Sequence, residues 1–118
     1  MAWKVELHPA FRGEVKDLPF KVRRSLGETL VAVEIEGPDL GRPIVDTLYG
    51  SRHSNMKELR FNAEGGVWRF AFAFDPKQRA VILVGGDKQG ANQKQFYRWL
   101  LDVADERFDD YAQKEQDK

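Results

Sequence analysis

Cysteine is absent from the 118 residues, so the chain can form neither a disulfide framework nor a thiolate metal site. Its two histidines, His8 and His53, are isolated, and no carboxylate pair is spaced to complete a site beside either. Phosphate-binding Gly-Lys-Ser/Thr loops and Gly-x-Ser-x-Gly nucleophile elbows are also missing. We therefore expect no metal and no cofactor, and the sequence carries no signature of a P-loop nucleotidase or a serine hydrolase.

Long apolar runs are missing as well. No stretch approaches the roughly 20 residues that span a bilayer, and the first residues lack the apolar segment of a secretory signal. Together with the lack of cysteine, this fits a cytoplasmic protein without a membrane partner. The 42% hydrophobic and 12% aromatic content excludes a disordered chain. The length predicts a single domain over residues 1–112, followed by a disordered tail over residues 113–118.

Neither sign of charge is in excess, since 19 Lys and Arg residues balance 19 Asp and Glu residues. The distribution is nevertheless uneven. Residues 56–98 carry eight basic and four acidic side chains, whereas residues 99–118 carry three basic and seven acidic ones. Because local field depends on where charge lies, the pattern predicts a basic patch and an acidic C-terminal segment.

Three segments, residues 56–61, 67–74 and 80–88, have the composition of strands and are separated by turn residues. They predict an antiparallel meander. Because side chains alternate along a strand, Arg69 lies on the opposite face from its aromatic neighbours and shares that face with Ala71 and Ala73. This face offers little apolar area, so we expect it to form the floor of a shallow basic groove.

The remaining patterns complete an α+β order. Residues 3–7 alternate as in a strand, two helices are predicted between residues 9 and 34, and an amphipathic helix follows residue 92. The predicted order is β-α-α-β-β-β-α. We expect the helices to pack on one face of an antiparallel sheet.

Several motifs in this order resemble a known protein family. They are Leu40-Gly41-Arg42-Pro43, Asp46-Thr47-Leu48-Tyr49-Gly50, Lys57-Glu58-Leu59-Arg60, Trp68-Arg69-Phe70-Ala71-Phe72 and Ile82-Leu83-Val84-Gly85-Gly86-Asp87-Lys88. Over roughly residues 3–108 the chain resembles the RelE/ParE superfamily of bacterial type II toxins, and within it the HigB-like, phage-derived branch. The resemblance implies a RelE-like fold, with a small antiparallel sheet, two N-terminal helices and one C-terminal helix.

The same resemblance implies a ribosome-dependent mRNA endoribonuclease, or mRNA interferase, that inhibits translation without a metal ion. The attacking group in such enzymes is the 2′-hydroxyl of the RNA itself. The implied partners are mRNA on the ribosome and a cognate helix-turn-helix, HigA-like antitoxin that forms a hetero-oligomer with the toxin. Arginine is suited to bind the RNA phosphate at the cleavage site, because its side chain stays charged and can bind phosphate through two hydrogen-bond donors.

Residue by residue, the resemblance implies a catalytic set of Arg60, Arg69 and Lys88. The RNA-binding candidates are nearby cations and one aromatic residue: Lys57, Lys94, Tyr97 and Arg98. Lys57 shares its strand face with Leu59 and Phe61, so contact with the sheet edge is an alternative for it.

The sequence departs from the family pattern at two positions. Asp87 precedes a single lysine where many members have two, and Glu58 occupies a position where some members have lysine. Neighbouring cations lower the pKa of a lysine, and Lys88 has fewer of them here. A nuclease with altered or weak activity is therefore one interpretation. His53 is an alternative acid or base, although an isolated surface histidine is usually only solvated.

Two other functions stay open at this point. A ParE-like member would inhibit DNA gyrase without needing catalytic groove residues, and an inactive relative would be a non-catalytic RNA-binding prophage protein. For the antitoxin, the first two helices are one candidate docking surface, through Arg23, Arg24 and the Val22/Leu26 stripe.

Overall fold

The computed structural model describes residues 2–118. It contains five strands, three α-helices and one short 3-10 helix at Gly37–Asp39. In chain order the main elements are β1 (Lys4–Leu7), α1 (Pro9–Val15), α2 (Phe20–Glu36), β2 (Val45–Thr47), β3 (Met56–Ala63), β4 (Gly66–Phe74), β5 (Arg79–Asp87) and α3 (Gln93–Gln116).

The five strands form one sheet in the order β1-β5-β4-β3-β2. The predicted meander of β3, β4 and β5 is confirmed, and so is the α+β class. The structure adds β2 at one edge, and β1 runs parallel to β5 at the other, which makes the sheet mixed. Because β1 and β2 lie at opposite edges, α1 and α2 carry the chain across one face of the sheet.

The aromatic face of the sheet packs against α1 and α2. Phe70 is fully buried there, and Phe11 of α1 meets it edge to face with 5.9 Å between ring centroids. Val22 and Leu26 of α2 are buried in the same core. The Val22/Leu26 stripe that the sequence suggested as a docking surface is therefore not available at the surface.

The opposite face of the sheet lies under α3, which corrects two predictions. Ala71 and Ala73 are fully buried and pack with Leu100 and Ala104 of α3. The alanine face is therefore not a groove floor, and helices cover both faces of the sheet instead of one. The physical reason is size, because small side chains on the sheet let the large side chains of a helix approach closely.

The last helix extends beyond the predicted domain boundary at residue 112, so residues 113–116 are helical and not a tail. Arg79 of β5 holds this end, with its Nη2 3.0 Å from Glu115 Oε2 and its Nε 2.7 Å from Asp75 Oδ2. The Tyr111 hydroxyl donates to the same Asp75 oxygen. Sequence patterns could not indicate these long-range partners. Within residues 2–118 no helix is both long enough and apolar enough to cross a membrane.

A substitution at Gly85 tests how tightly the aromatic core is packed. A Cβ at this position would overlap the ring of the fully buried Phe70, whereas a Cβ at Gly27 of α2 has no neighbour within 4 Å among the described residues. We predict that Gly85→Ala destabilises the fold by about 1–3 kcal/mol. Gly27→Ala, the matched control, stabilises it by up to about 1 kcal/mol. Urea unfolding measures both, and equal effects would contradict the packing argument.

The ion pairs at the end of α3 predict a pH dependence. The hydrogen bond from Arg79 holds the pKa of Glu115 well below 4.5, at about 2. A carboxylate with a lowered pKa stabilises the fold above its ordinary pKa and loses that effect as pH falls through the lowered value. Wild type should therefore unfold at higher urea than Glu115→Gln at pH 7, with a difference that shrinks from pH 4.5 and vanishes below about 2. Glu28→Gln, at an exposed pair with Arg24, should show no such trend.

Candidate functional site

Three cations meet where β3, β4 and β5 approach the start of α3. Arg60 and Arg69 are direct partners across β3 and β4, and Lys88 follows β5 immediately. The Lys88 Nζ atom lies 5.5 Å from the centre of the Tyr97 ring on α3. We call Arg60, Arg69 and Lys88 the basic cluster. It contains the three residues that the sequence predicted as catalytic.

Two carboxylates accompany the opposed arginines. Like charges directly opposite each other destabilise an antiparallel pair of strands. Glu58 Oε1 lies 3.8 Å from Arg69 Nε, and Asp46 Oδ2 lies 3.7 Å from Arg60 Nη1. A hydrogen bond from Arg42 lowers the pKa of Asp46, which favours the charged form of this carboxyl. The carboxylates therefore offset part of the repulsion between the arginines.

The two arginines nonetheless retain unused hydrogen-bonding capacity. Arg69 is only 7% exposed, and its Nη1 donates to the backbone oxygen of Trp68. Within residues 2–118, the buried Nε atoms of Arg60 and Arg69 have no hydrogen-bond acceptor. A buried donor without an acceptor costs about 1–3 kcal/mol, so such groups call for an explanation. An external anion with several acceptor oxygens could approach the pair through the partly exposed guanidinium group of Arg60.

An open depression gives access to the arginines. It has a volume of about 220 Å³ and is lined by Pro43, Arg60, Phe61, Asn62 and Arg69. We call it the arginine depression. Its position allows an anion to reach the guanidinium groups from solvent.

Tyr97 and Lys88 contribute groups that could transfer protons. The Tyr97 hydroxyl donates to Glu58 Oε1 over 2.9 Å. Burial, and then the charge of Glu58, raise the pKa of Tyr97, so the phenol stays protonated at neutral pH. Burial also lowers the pKa of Lys88, and the charge of Arg69 lowers it further. A lysine with a lowered pKa exchanges its proton more readily near neutral pH.

A larger cleft of about 630 Å³ adjoins the cluster at Tyr97. It is lined by Gly50, Gln93, Lys94, Tyr97, Arg98, Leu101, Asp102 and Asp105. We call it the helix cleft. The structure thus places the predicted RNA-binding residues Lys94, Tyr97 and Arg98 together, with Lys94 one helical turn of α3 before Tyr97 and Arg98.

The loop from residue 48 to 55, whose Gly50 lines the helix cleft, is fastened to α3. The Ser51 hydroxyl donates to Asp105, which is 4% exposed, and the Arg52 guanidinium donates to Asp109. His53 Nε2 lies 2.7 Å from Asp109 Oδ1, and its ring packs against Phe108. These contacts give His53 the position of a loop anchor and not of an acid or base in the basic cluster.

Lys57 is separated from the other candidates. The alternation of β3 puts it on the face opposite Glu58 and Arg60, where its Nζ donates to Thr47 Oγ1 over 3.2 Å. It lines a depression beside the connector of residues 38–47. The structure therefore places Lys57 outside the basic cluster.

Sequence reasoning missed the roles of several acidic residues in the site. Glu58, a departure from the family pattern, lies two residues from Arg60, and this spacing places both side chains on one strand face. Asp46 lies four residues after Arg42, which is a weak signal for their hydrogen bond. No sequence signal pointed to Asp105 and Asp109 as anchors, because their partners are more than 50 residues away. Among the described residues, no group of three or more His, Cys, Asp or Glu side chains could hold a metal ion.

Sequence comparison relates the chain to a family described as "Phage derived protein Gp49-like", which matches residues 13–109. Two relatives come from Mycobacterium tuberculosis. A candidate toxin named HigB3 is 46% identical over 83 residues, which cover 70% of each chain. A candidate toxin named HigB2 is 49% identical over 77 residues, which cover 64% of this chain and 38% of the longer relative.

Structural comparison finds a similar fold in a mutant of the E. coli toxin RelE that was solved in the free state. The TM-score is 0.63 at 16% sequence identity, and the match covers 86% of this chain and 95% of the other. The predicted RelE-like fold is confirmed by this likeness. At this identity the comparison concerns the fold alone.

The unused donors of the basic cluster predict anion binding. At equal ionic strength, sulfate in place of chloride should raise the melting temperature of the wild type by at least about 2 °C more than that of Arg69→Gln. The general stabilising effect of sulfate acts on both proteins and cancels in the difference. Arg24→Gln, an exposed arginine on α2, is the control and should respond like the wild type. Equal responses of all three proteins would contradict an anion site at Arg69.

Proposed function

Because the chain belongs to the Gp49-like family of phage-derived proteins, we propose that it is the toxin of a type II toxin-antitoxin system and cleaves mRNA on the ribosome. The two relatives named as candidate toxins and the RelE-like fold support the toxin class. Fold alone does not define a reaction, so the nuclease activity is argued from the site.

The observation that carries this proposal is the pair of opposed arginines, of which Arg69 is buried and Arg60 is partly exposed, beside an opening to solvent. Arg60 and Arg69 oppose each other, both Nε atoms lack an acceptor within residues 2–118, and the arginine depression opens between them and solvent. A phosphodiester offers two non-bridging oxygens with negative charge. Two guanidinium groups match this geometry and would bind the phosphate through charge-assisted hydrogen bonds.

The proposed reaction uses the RNA as its own nucleophile. The 2′-hydroxyl loses its proton and its oxygen attacks the adjacent phosphorus, while the bond from phosphorus to the 5′-oxygen breaks and that oxygen gains a proton. Arg60 and Arg69 would stabilise the negative charge that builds up on the phosphate oxygens in the transition state. The lowered pKa of Lys88 suits its neutral form to take the proton of the 2′-hydroxyl, and the protonated Tyr97 hydroxyl is suited to give a proton to the leaving 5′-oxygen. Every role falls to a side chain, so this route needs no metal ion.

The helix cleft supplies the surface for the RNA strand on either side of the cut. Lys94 and Arg98 would contact neighbouring phosphates, and the Tyr97 ring, at the junction of the helix cleft and the cluster, would stack on an unpaired base. Lys57 is not included in this surface because it lies on the other face of the sheet.

A toxin of this class requires a partner that neutralises it. We infer that a cognate antitoxin, a helix-turn-helix protein of the HigA type, binds this chain in a hetero-oligomer in the cytoplasm. The ribosome would present the mRNA. The acidic C-terminal half of α3, opposite in charge to the basic cluster, would keep nonspecific nucleic-acid contacts confined to the cluster side.

Primer-extension mapping of a reporter mRNA after brief induction tests the proposal. We predict cuts for the wild type, at least about 100-fold fewer cuts for Arg69→Gln because one phosphate ligand is lost, and wild-type cutting for Arg24→Gln. A reporter without a start codon should stay intact if cleavage needs translation. Lys88→Ala, at a less buried position, gives a second test should Arg69→Gln fold poorly.

Other outcomes would point to other functions. Growth arrest with an intact reporter and an induced DNA-damage response would contradict the nuclease proposal and support a gyrase inhibitor. Normal growth with an intact reporter would also contradict the nuclease proposal and would support a non-catalytic RNA-binding protein.

A further inference from the structure

Glu58 is an acidic side chain buried within the basic cluster. It precedes Arg60 by two residues on β3, so the alternation of the strand puts both side chains on the face that α3 covers. Glu58 is 7% exposed. Burying a carboxylate at this depth is costly unless charged or hydrogen-bonding partners compensate. Its contacts therefore explain why an acid is tolerated among three cations.

One oxygen of Glu58 joins two elements of the site. Oε1 accepts the hydrogen bond from the Tyr97 hydroxyl over 2.9 Å, and it lies 3.8 Å from Arg69 Nε. Tyr97 belongs to α3 and Arg69 to β4, so the carboxylate fixes a helix side chain relative to a strand side chain. Without the Glu58 carboxylate, the Tyr97 hydroxyl and the Arg69 guanidinium would lose the partner that they share.

The charge of Glu58 also acts on the two groups suited to proton transfer. Burial lowers the pKa of Lys88, the charges of Arg69 and Arg60 lower it further, and Glu58 opposes these effects. On Tyr97, burial and the charge of Glu58 both raise the pKa. Asp87, the residue before Lys88, also carries a charge. Its Oδ1 accepts hydrogen bonds from the backbone N–H groups of Val67 and Gln89. Glu58 thus favours the protonated forms of both Lys88 and Tyr97.

We propose that Glu58 is a positioning residue of the nuclease site, which holds the Tyr97 hydroxyl and the Arg69 guanidinium in place. This inference rests on the nuclease function proposed above. Glu58, which departs from the family pattern, would therefore be a functional part of this site. Glu58 acts through its neighbours and does not itself contact the RNA.

The test compares wild type, Glu58→Gln and Glu64→Gln in a purified translation system, with cleavage rates measured across pH. Glu58→Gln keeps an oxygen that can accept from Tyr97 but removes the charge. We expect the maximal cleavage rate to fall about tenfold, because the charged contact to Arg69 and Tyr97 is lost, and both limbs of the pH profile to move down by about half a unit. Removing a negative charge lowers the pKa of Lys88 and Tyr97, so both lose their protons at lower pH. Binding of a fluorescent single-stranded RNA should stay within about twofold of wild type, because the arginines remain.

Glu64→Gln is the matched control, since it removes an exposed carboxylate near the turn between β3 and β4. It should match the wild type in rate and pH profile. Thermal melts verify folding, and Tyr97→Phe tests the same contact from the helix side with an expected loss of at least about tenfold in rate. An unshifted alkaline limb in Glu58→Gln, or wild-type cleavage by Tyr97→Phe, would overturn the inference about Glu58 alone. Absence of cleavage by the wild type would instead overturn the proposed nuclease function on which the inference rests.

Discussion

Arg60 and Arg69 face each other across β3 and β4, and two positive charges in this register raise the free energy of the folded state. The neighbouring groups respond to that constraint. Glu58 and Asp46 each lie within 4 Å of one arginine and offset part of the repulsion. The offset is incomplete, because both Nε atoms stay buried without an acceptor among residues 2–118. This uncompensated positive charge supports the proposed binding of a phosphate.

The position of α3 brings further side chains to this arginine pair. Ala71 and Ala73 let the helix lie close to the sheet beyond the arginines, so the first turns of α3 bring Tyr97 to Glu58 and Lys88. Burial then changes the acid-base properties of both groups, since it lowers the pKa of Lys88 and raises that of Tyr97. The same packing that stabilises the core therefore also shifts the pKa values of the two groups proposed for proton transfer.

The two halves of α3 contact different parts of the structure. Its first half lines the helix cleft and meets the basic cluster, whereas its second half carries the acids that anchor other segments. Asp105 and Asp109 hold the loop of residues 48–55, and Glu115 pairs with Arg79 of β5. The negative C-terminal segment seen in the sequence is thus largely engaged in internal ion pairs. Fixing this loop also fixes Gly50, which lines the helix cleft.

The sequence alone determined the meander, the α+β class, the burial of the aromatic stripe and the residues of the basic cluster. These follow from alternation and turn residues, which are local, and from a motif order that the family comparison supports. The tertiary structure decided that α3 covers the alanine face, that Lys57 points away from the cluster and that His53 anchors a loop. It also decided that Glu58 meets Tyr97, 39 residues away. Such contacts depend on how elements pack in space, and a local pattern contains no information about partners that only the folded chain brings together.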